Sequence, residues 1–357
     1  MALIVVVLII IFSVCAKSPN NQKLTLLQAQ TILKDAQNSQ KQANAAILAS
    51  DNEKAKISFA DCLVGTNKIS SIVAIKSQTK DLNQICQVEL DKLTSTTRFT
   101  NLNPIVSGAQ DAKMSFVVGS QIFLINATEI YQSSLVNSQK PVKMAALPSG
   151  NGDFVFGTLA GSEIYLYTSA QKVYGYNVDT QKLELSPISG SWEVANAGSF
   201  YAGTFYLLDS VAGQIYKHVS TNNTFSSGQN YLAVASTNLK NNISFAIDGS
   251  VYALNSAGDI NKLSRGQFVS GFALSSIPAP YSKIEKPVKL VTDADTTSIY
   301  ILDNGSNKRI LEFDKDGHFT HQYALPANLN NLTDFSVSIK AKKIWVLNAG
   351  SLYEIGI

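Results

Sequence analysis

Residues 299–319 read IYILDNGSNKRILEFDKDGHF. An apolar strand with an aromatic second residue runs into Asp303, a polar turn follows, and a second apolar strand leads to a turn at Gly317. The heart of this stretch, IYILDNG, recurs. Its counterparts are IFLINAT at Ile122, IYLYTSA at Ile164, FYLLDSV at Phe205, VYALNSA at Val251 and IWVLNAG at Ile344. The aromatic position holds Phe123, Tyr165, Tyr206, Tyr252, Tyr300 and Trp345, and Asp or Asn ends the strand in five of the six copies. Successive copies start roughly 40–50 residues apart, the spacing of propeller blades rather than of helical repeats.

Each copy carries a second short strand after its turn, at Ile130, Val173, Ile215, Ile260, Ile310 and Leu352. The turns are rich in Asn, Asp, Gly and Ser, which tolerate positive φ or cap the turn with a side chain. A further strand precedes most pairs: MSFVV at Met114, DFVFG at Asp153, ISFAI at Ile243, VKLVT at Val288 and DFSVS at Asp334. Short strands at this density, with no helix between them, predict an all-β fold. Six repeats of a four-strand unit predict a six-bladed β-propeller over residues 97–357.

The stretch at 299–319 also resembles an NHL repeat. That pattern runs from an apolar-aromatic strand through Asp-x-Gly-Asn-x-Arg-Ile to a Phe-Asp strand and a Gly turn. Here it falls on Asp303, Gly305, Asn307, Arg309, Ile310, Phe313, Asp314 and Gly317, with Ser306 as one extra residue. The other five copies keep only the strand framework. The resemblance implies an NHL-like propeller devoted to interaction rather than chemistry.

The chain ends at Ile357, after the third strand of the sixth copy. A closed propeller needs a fourth strand there, and the unassigned sequence lies upstream of the first copy. The expectation is that the segment around TTRFTNLN (residues 96–103) completes the last blade, removing open sheet edges.

Residues 22–95 follow a helical period instead. Leu26, Ala29, Leu33, Ala36, Gln40, Ala43 and Ile47 alternate steps of three and four, the seam of a coiled coil. Ser50 followed by Glu53 reads as a capping box opening a second helix. Its seam is Ala55, Phe59, Cys62, Thr66, Ile69 and Val73, then, after a phase shift near Ser77, Leu82, Ile85, Leu90 and Leu93. The expected structure is an antiparallel helical hairpin turning at Ser50 and Asp51, a coiled-coil stalk with close approach at its alanines.

Residues 1–16, MALIVVVLIIIFSVCA, are almost wholly apolar but shorter than the roughly 20 residues that span a bilayer. No basic residue precedes the run, as it would in a signal peptide, and Val14 departs from the lipoprotein pattern before Cys15. The readings are a membrane anchor, a cleaved signal, and a transmembrane helix whose upstream part is missing. The anchor, contacting the lipid bilayer and possessing a truncated start, is favoured here. Pro19 then breaks any continuing helix. Lys17 and Lys23, taken literally under the positive-inside rule, would place the rest of the chain inside. They are discounted because upstream basic residues would be missing, so the expectation is a single-pass protein of the cell membrane, mostly extracytoplasmic.

Of the 357 residues, 45% are apolar and 15% charged, which excludes a disordered chain. The net charge of +3 is spread along the sequence, without the Lys/Arg stripe that nucleic-acid binding needs. Cys62 and Cys86 can pair in a disulfide if their segment is extracytoplasmic. The other reading is two small apolar residues at a helix interface.

Signs of chemistry are few. Of the three histidines, His218, His318 and His321, the last two have a metal-pair spacing, but residues three apart on a strand face opposite sides, and those two read as surface or turn residues. SGNGDFVFG does not open onto a helix and reads as a turn between blades. Asp153, Asp248, Asp293, Asp295 and Asp334 lie near the starts or ends of predicted first strands, closest to a propeller axis. Converging there, they would hold a cation or define a ligand pocket, as in propeller lactonases and lyases. The competing reading is that each Asp caps a turn. Asp303 and its Asn equivalents recur in most copies, which marks a structural role. Sequons at Asn126, Asn222, Asn242, Asn304 and Asn331 mark exposed turns.

The function these readings support is a membrane-anchored extracytoplasmic propeller that binds a protein, peptide or glycan, without a cofactor. One version makes it the sensor of a transmembrane signalling protein. The alternative is a metal-dependent propeller hydrolase or lyase using the axial carboxylates.

Overall fold

The computed structural model describes residues 24–136, 140–190 and 192–357. The apolar segment at residues 1–16 lies outside them. Among the described residues, no helix is long and apolar enough to cross a membrane. The chain falls into two compact units, Met1–Leu90 and Asp91–Ile357.

The first unit holds three helices, α1 (Leu26–Leu48), α2 (Asn52–Ile69) and most of α3 (Lys76–Leu93). Thr25 and Gln28 form a reciprocal capping box that starts α1. The cap of α2 is Asp51, one residue beyond the expected Ser50, and its carboxylate accepts from Lys54 N at 3.1 Å. Ala29, Ala36 and Ala43 are buried, and a Cβ on Gly65 would stand 3.0 Å from Ala36 Cβ, so α1 and α2 approach closely.

The second helix does not continue to residue 95. It stops at Ser70, where Ser and β-branched residues (Ser70, Ser71, Ile72, Val73) have weak helix propensity and the Ser70 hydroxyl donates to Asn67 O. After a short 3₁₀ turn at Val73–Ile75, α3 folds back on α2. A disulfide joins Cys62 and Cys86, and Asn83 Nδ2 donates to Thr66 Oγ1 at 2.7 Å. The expected two-helix coiled-coil stalk is therefore corrected to a three-helix unit. Val73 and Ile85, placed on its seam, are exposed.

The second unit is a six-bladed β-propeller. The innermost strands are Met114–Val118, Phe154–Ala160, Ala195–Tyr201, Asn242–Ile247, Pro287–Val291 and Leu332–Ser338, and each meets the next right round the ring. The six repeated copies form the second strands: Gln121–Ile125, Glu163–Thr168, Thr204–Asp209, Val251–Asn255, Ser298–Asp303 and Lys343–Asn348. Their aromatic residues are buried, except that Tyr206 is half-buried. In four copies the Asp or Asn ending the strand caps the following turn, whereas Asn348 Oδ1 of blade six accepts from Asn331 N. Asp209 Oδ1 accepts from Val211 N and Ala212 N, Asn126 Oδ1 from Thr128 N, and Asn255 Oδ1 from Ala257 N. In the exceptional copy, Thr168 Oγ1 accepts from Lys172 N instead.

Closure does use N-terminal sequence, but not the segment expected. Pro104–Val106 pairs antiparallel with Ser351–Gly356 and completes blade six. Proline lacks an N–H and so is tolerated on such an edge. Thr96–Arg98, inside TTRFTNLN, instead runs parallel to Phe319–Ala324 as a fifth strand of blade five. Arg98 is held there by Asp91, with Nε to Oδ2 and Nη2 to Oδ1 both at 2.8 Å.

Candidate functional site

The innermost strands surround an axial space, and side chains tie them to one another. Asp334 of blade six accepts from Ser115 N of blade one at 2.7 Å and from Lys289 Nζ of blade five at 2.5 Å. Ser244 Oγ of blade four accepts from Leu290 N, and Thr158 Oγ1 of blade two from Phe200 N of blade three. Asn196 Nδ2 of blade three donates to Asn242 O of blade four at 2.6 Å. A buried acceptor would be expensive if unpaired, so these contacts hold neighbouring blades in register.

Two cavities lie along this axis. The wider, about 600 Å³, opens where the innermost strands end, and the narrower, about 180 Å³, where they begin. Lys289 and Phe245 line both. Phe116, Leu159, Phe200 and Phe335 give the wider cavity an apolar wall, while Asp293 and Asp295 stand exposed at its lip. With Lys289 paired to Asp334, the lip carboxylates leave this mouth acidic.

The five carboxylates read from sequence do not gather at one point. Asp334 is buried in the axial space as a bridge between blades. Asp293 Oδ1 caps its own turn, accepting from Asp295 N and Thr296 N at 2.9 Å. Asp248 is paired with Lys315 at 2.7 Å. Burial, joined by the nearby Asp248 charge, pushes the Tyr252 phenol well above its ordinary range. Asp153 is exposed at the start of blade two, its N–H donating to Ser169 Oγ. Among the described residues, no group of three or more His, Cys, Asp or Glu is placed to hold a metal ion.

A separate cavity of about 330 Å³ borders blade five, lined by Arg98, Tyr281, Lys308 and Arg309. Two of its cations are already paired, Arg98 with Asp91 and Arg309 with Asp303. Of the sequon asparagines, Asn242 is buried, whereas Asn222 and Asn331 are exposed.

The histidines are dispersed. His318 pairs with Asp314 at the surface, and His321 Nε2 lies 2.9 Å from Thr97 Oγ1. His218 is fully buried against the Trp192 ring, its Nδ1–H donating to Ser226 O at 2.9 Å. Burial holds His218 below the ordinary imidazole range. The unfolded chain takes up a proton near pH 6.5 while the folded one resists it. Stability is therefore full above about pH 6.5 and falls as the pH drops from there toward the folded pKa. Burial also lowers His321, opposed by Glu312, so it adds to the same trend. The melting temperature is expected to fall between pH 7 and pH 5, and less steeply in His218→Asn. Equal falls in the two proteins would refute the assignment to His218.

Neither a protein-family model nor a curated protein sequence matches this chain. Solved structures do. The structure of U3-55K superposes with a TM-score of 0.51 at 8% identity, covering 72% of this chain and 98% of that one. The WD40 repeats of RRP9 give 0.50 at 8% identity, covering 72% and 97%. At such identity the likeness shows the fold alone, a β-propeller. The finer NHL-like assignment receives no family match.

Sequence reasoning missed Lys289, Ser115 and Thr158, which carry axial contacts. A lone Lys, Ser or Thr in a β-strand has no pattern of its own. Their positions on innermost strands would have been the only signal.

Proposed function

We propose that this chain is a binding propeller without chemistry of its own, which takes a peptide segment of a protein partner into the wider axial mouth. The observation that carries this reading is the 600 Å³ cavity with its aromatic wall and acidic lip. Concave, mostly apolar sites with a few polar groups are where ligands bind. This one suits an apolar side chain flanked by Lys or Arg. We further propose that residues 1–16 tether the protein to a membrane with the propeller outside the cytoplasm. The disulfide Cys62–Cys86 supports an oxidising compartment, and protease access to the propeller in intact cells tests this arrangement.

Selection of a random peptide library on the full chain is expected to enrich apolar sequences with adjacent basic residues. Ala202 is exposed on the mouth, so Ala202→Arg obstructs it without entering the core. Asp295→Lys reverses charge at the lip. Each substitution should weaken the selected peptides at least tenfold, about 1.4 kcal/mol. Peptides that bind both variants as tightly as the parent would place the site elsewhere, and a library yielding no binders would remove the reading.

A further inference from the structure

Away from the axis, one carboxylate oxygen of blade two is shut off from solvent without a hydrogen-bond partner. Glu163 opens the second strand of that blade. Its Oε1 accepts from Asn177 Nδ2 at 2.7 Å, whereas Oε2 is buried and unpaired. Two further oxygens turn toward the same space. Ser186 Oγ comes from the fourth strand of blade two, Lys182–Ser186, and donates a hydrogen bond at 2.9 Å to Asn223 Oδ1 from the outer hairpin turn of blade three, leaving lone pairs on both oxygens. The space exists because residue 175 is glycine: a Cβ there would stand 3.1 Å from each of Glu163 Oε2, Ser186 Oγ and Asn223 Oδ1.

An unpaired carboxylate oxygen out of reach of water is costly unless a cation or a proton meets it. Burial raises Glu163 above the ordinary carboxylate range, and the charges of Glu184 and Asp179 add to this while Asn177 opposes it. The surroundings are thus negative, and the oxygens that converge are hard donors with no nitrogen or sulfur among them. That donor set suits calcium, which accepts irregular oxygen shells completed by water, better than a transition metal or the strictly octahedral magnesium.

We propose that Glu163, Ser186 and Asn223 ligate a calcium ion over Gly175, fastening blade two to the outer hairpin of blade three. The site is independent of the axial mouth. With a single carboxylate, its affinity belongs to the weak range of about 10⁻⁴–10⁻³ M.

Equilibrium dialysis of the full chain against radiolabelled CaCl2, with excess KCl and MgCl2 present, is expected to show about one calcium ion per chain. Calcium near 10 mM should raise the melting temperature by about 2–5 °C, with magnesium doing much less. Glu163→Gln should abolish both effects. Gly175→Ala fills the space and Ser186→Ala removes a ligand, so each should weaken binding even if Glu163→Gln folds poorly. The proposal is overturned if the parent binds no calcium, if magnesium stabilises it equally, or if calcium binding survives Glu163→Gln. It is also overturned if Glu163→Gln melts higher than the parent and neither responds to calcium, because a protonated carboxyl or a water then fills the space.

Discussion

Replacing Arg309 with alanine is expected to cost the propeller about 3–5 kcal/mol, the penalty typical of breaking a buried ion pair from one side. Arg309 is 2% exposed and its partner Asp303 1%. The guanidinium reaches Asp303 Oδ2 at 3.4 Å and also donates to Tyr281 O at 2.9 Å, Gln322 Oε1 at 2.9 Å and Lys283 O at 2.6 Å. It therefore gathers the long connection before blade five onto that blade's second, third and fourth strands. Burial pulls Arg309 below the ordinary guanidinium range, and the Asp303 charge opposes that pull. The side chain remains a cation, since arginine is not deprotonated in proteins.

Alanine leaves the part-buried carbonyls of Tyr281 and Lys283 and the buried Gln322 Oε1 without this donor, and Asp303 without its counter-ion. Asp303 keeps backbone donors, Lys286 N at 2.9 Å and Gly305 N at 3.2 Å, which limits the loss. Arg309→Lys should recover less than half of it, because an ammonium is a point charge and cannot reach three directions at once. Urea unfolding of the three proteins measures this. An alanine variant within about 1 kcal/mol of the parent, the size of one ordinary hydrogen bond, would show that the network contributes little.

The second large effect concerns closure. A chain starting at Asp91 is expected to fold as a monomeric propeller, and one starting at Gly108 to fail. Without Pro104–Val106, the last strand of blade six, Ser351–Gly356, is left as an open edge, which invites pairing between molecules. The deletion also empties a slot in the core, because Val106 is 2% exposed and packs with Ala109, Leu124, Trp345 and Leu352. A chain starting at Asn101 separates the two N-terminal strands. It loses Thr96–Arg98 but keeps the closing strand, so it should stay monomeric with a lower melting temperature. Gel filtration and thermal unfolding of the three chains decide the matter. A stable monomer starting at Gly108 would mean that five complete blades and a three-stranded sixth hold the ring without the closing strand.

Much of the propeller was legible because its strongest signals are local. Six copies of an apolar-aromatic strand ending in Asp, Asn or Thr report a buried second strand and its capped turn, and both depend on residues within a few positions of one another. The first strand of blade three, Ala195–Tyr201, was silent. It reads ANAGSFY, and its small residues make sense only against the neighbouring blade, where a Cβ on Gly198 would come within 2.3 Å of the Phe156 ring. The helical segment shows the same limit. Its apolar period located the helices, but the turn after Ser70 and the return of α3 onto α2 depend on contacts between helices.

By itself, the sequence determined the β class, the number of blades, the register of buried aromatics and the presence of helices ahead of the propeller, because strand and helix periods are properties of neighbouring residues. Only the tertiary structure decided which N-terminal strand closes which blade, why five aspartates near strand ends stay apart, and which oxygens meet over Gly175. Those outcomes join residues far apart in the chain, such as Ser115 with Asp334 and Ser186 with Asn223. Their meeting is set by how the blades close into a ring, and no local pattern encodes it.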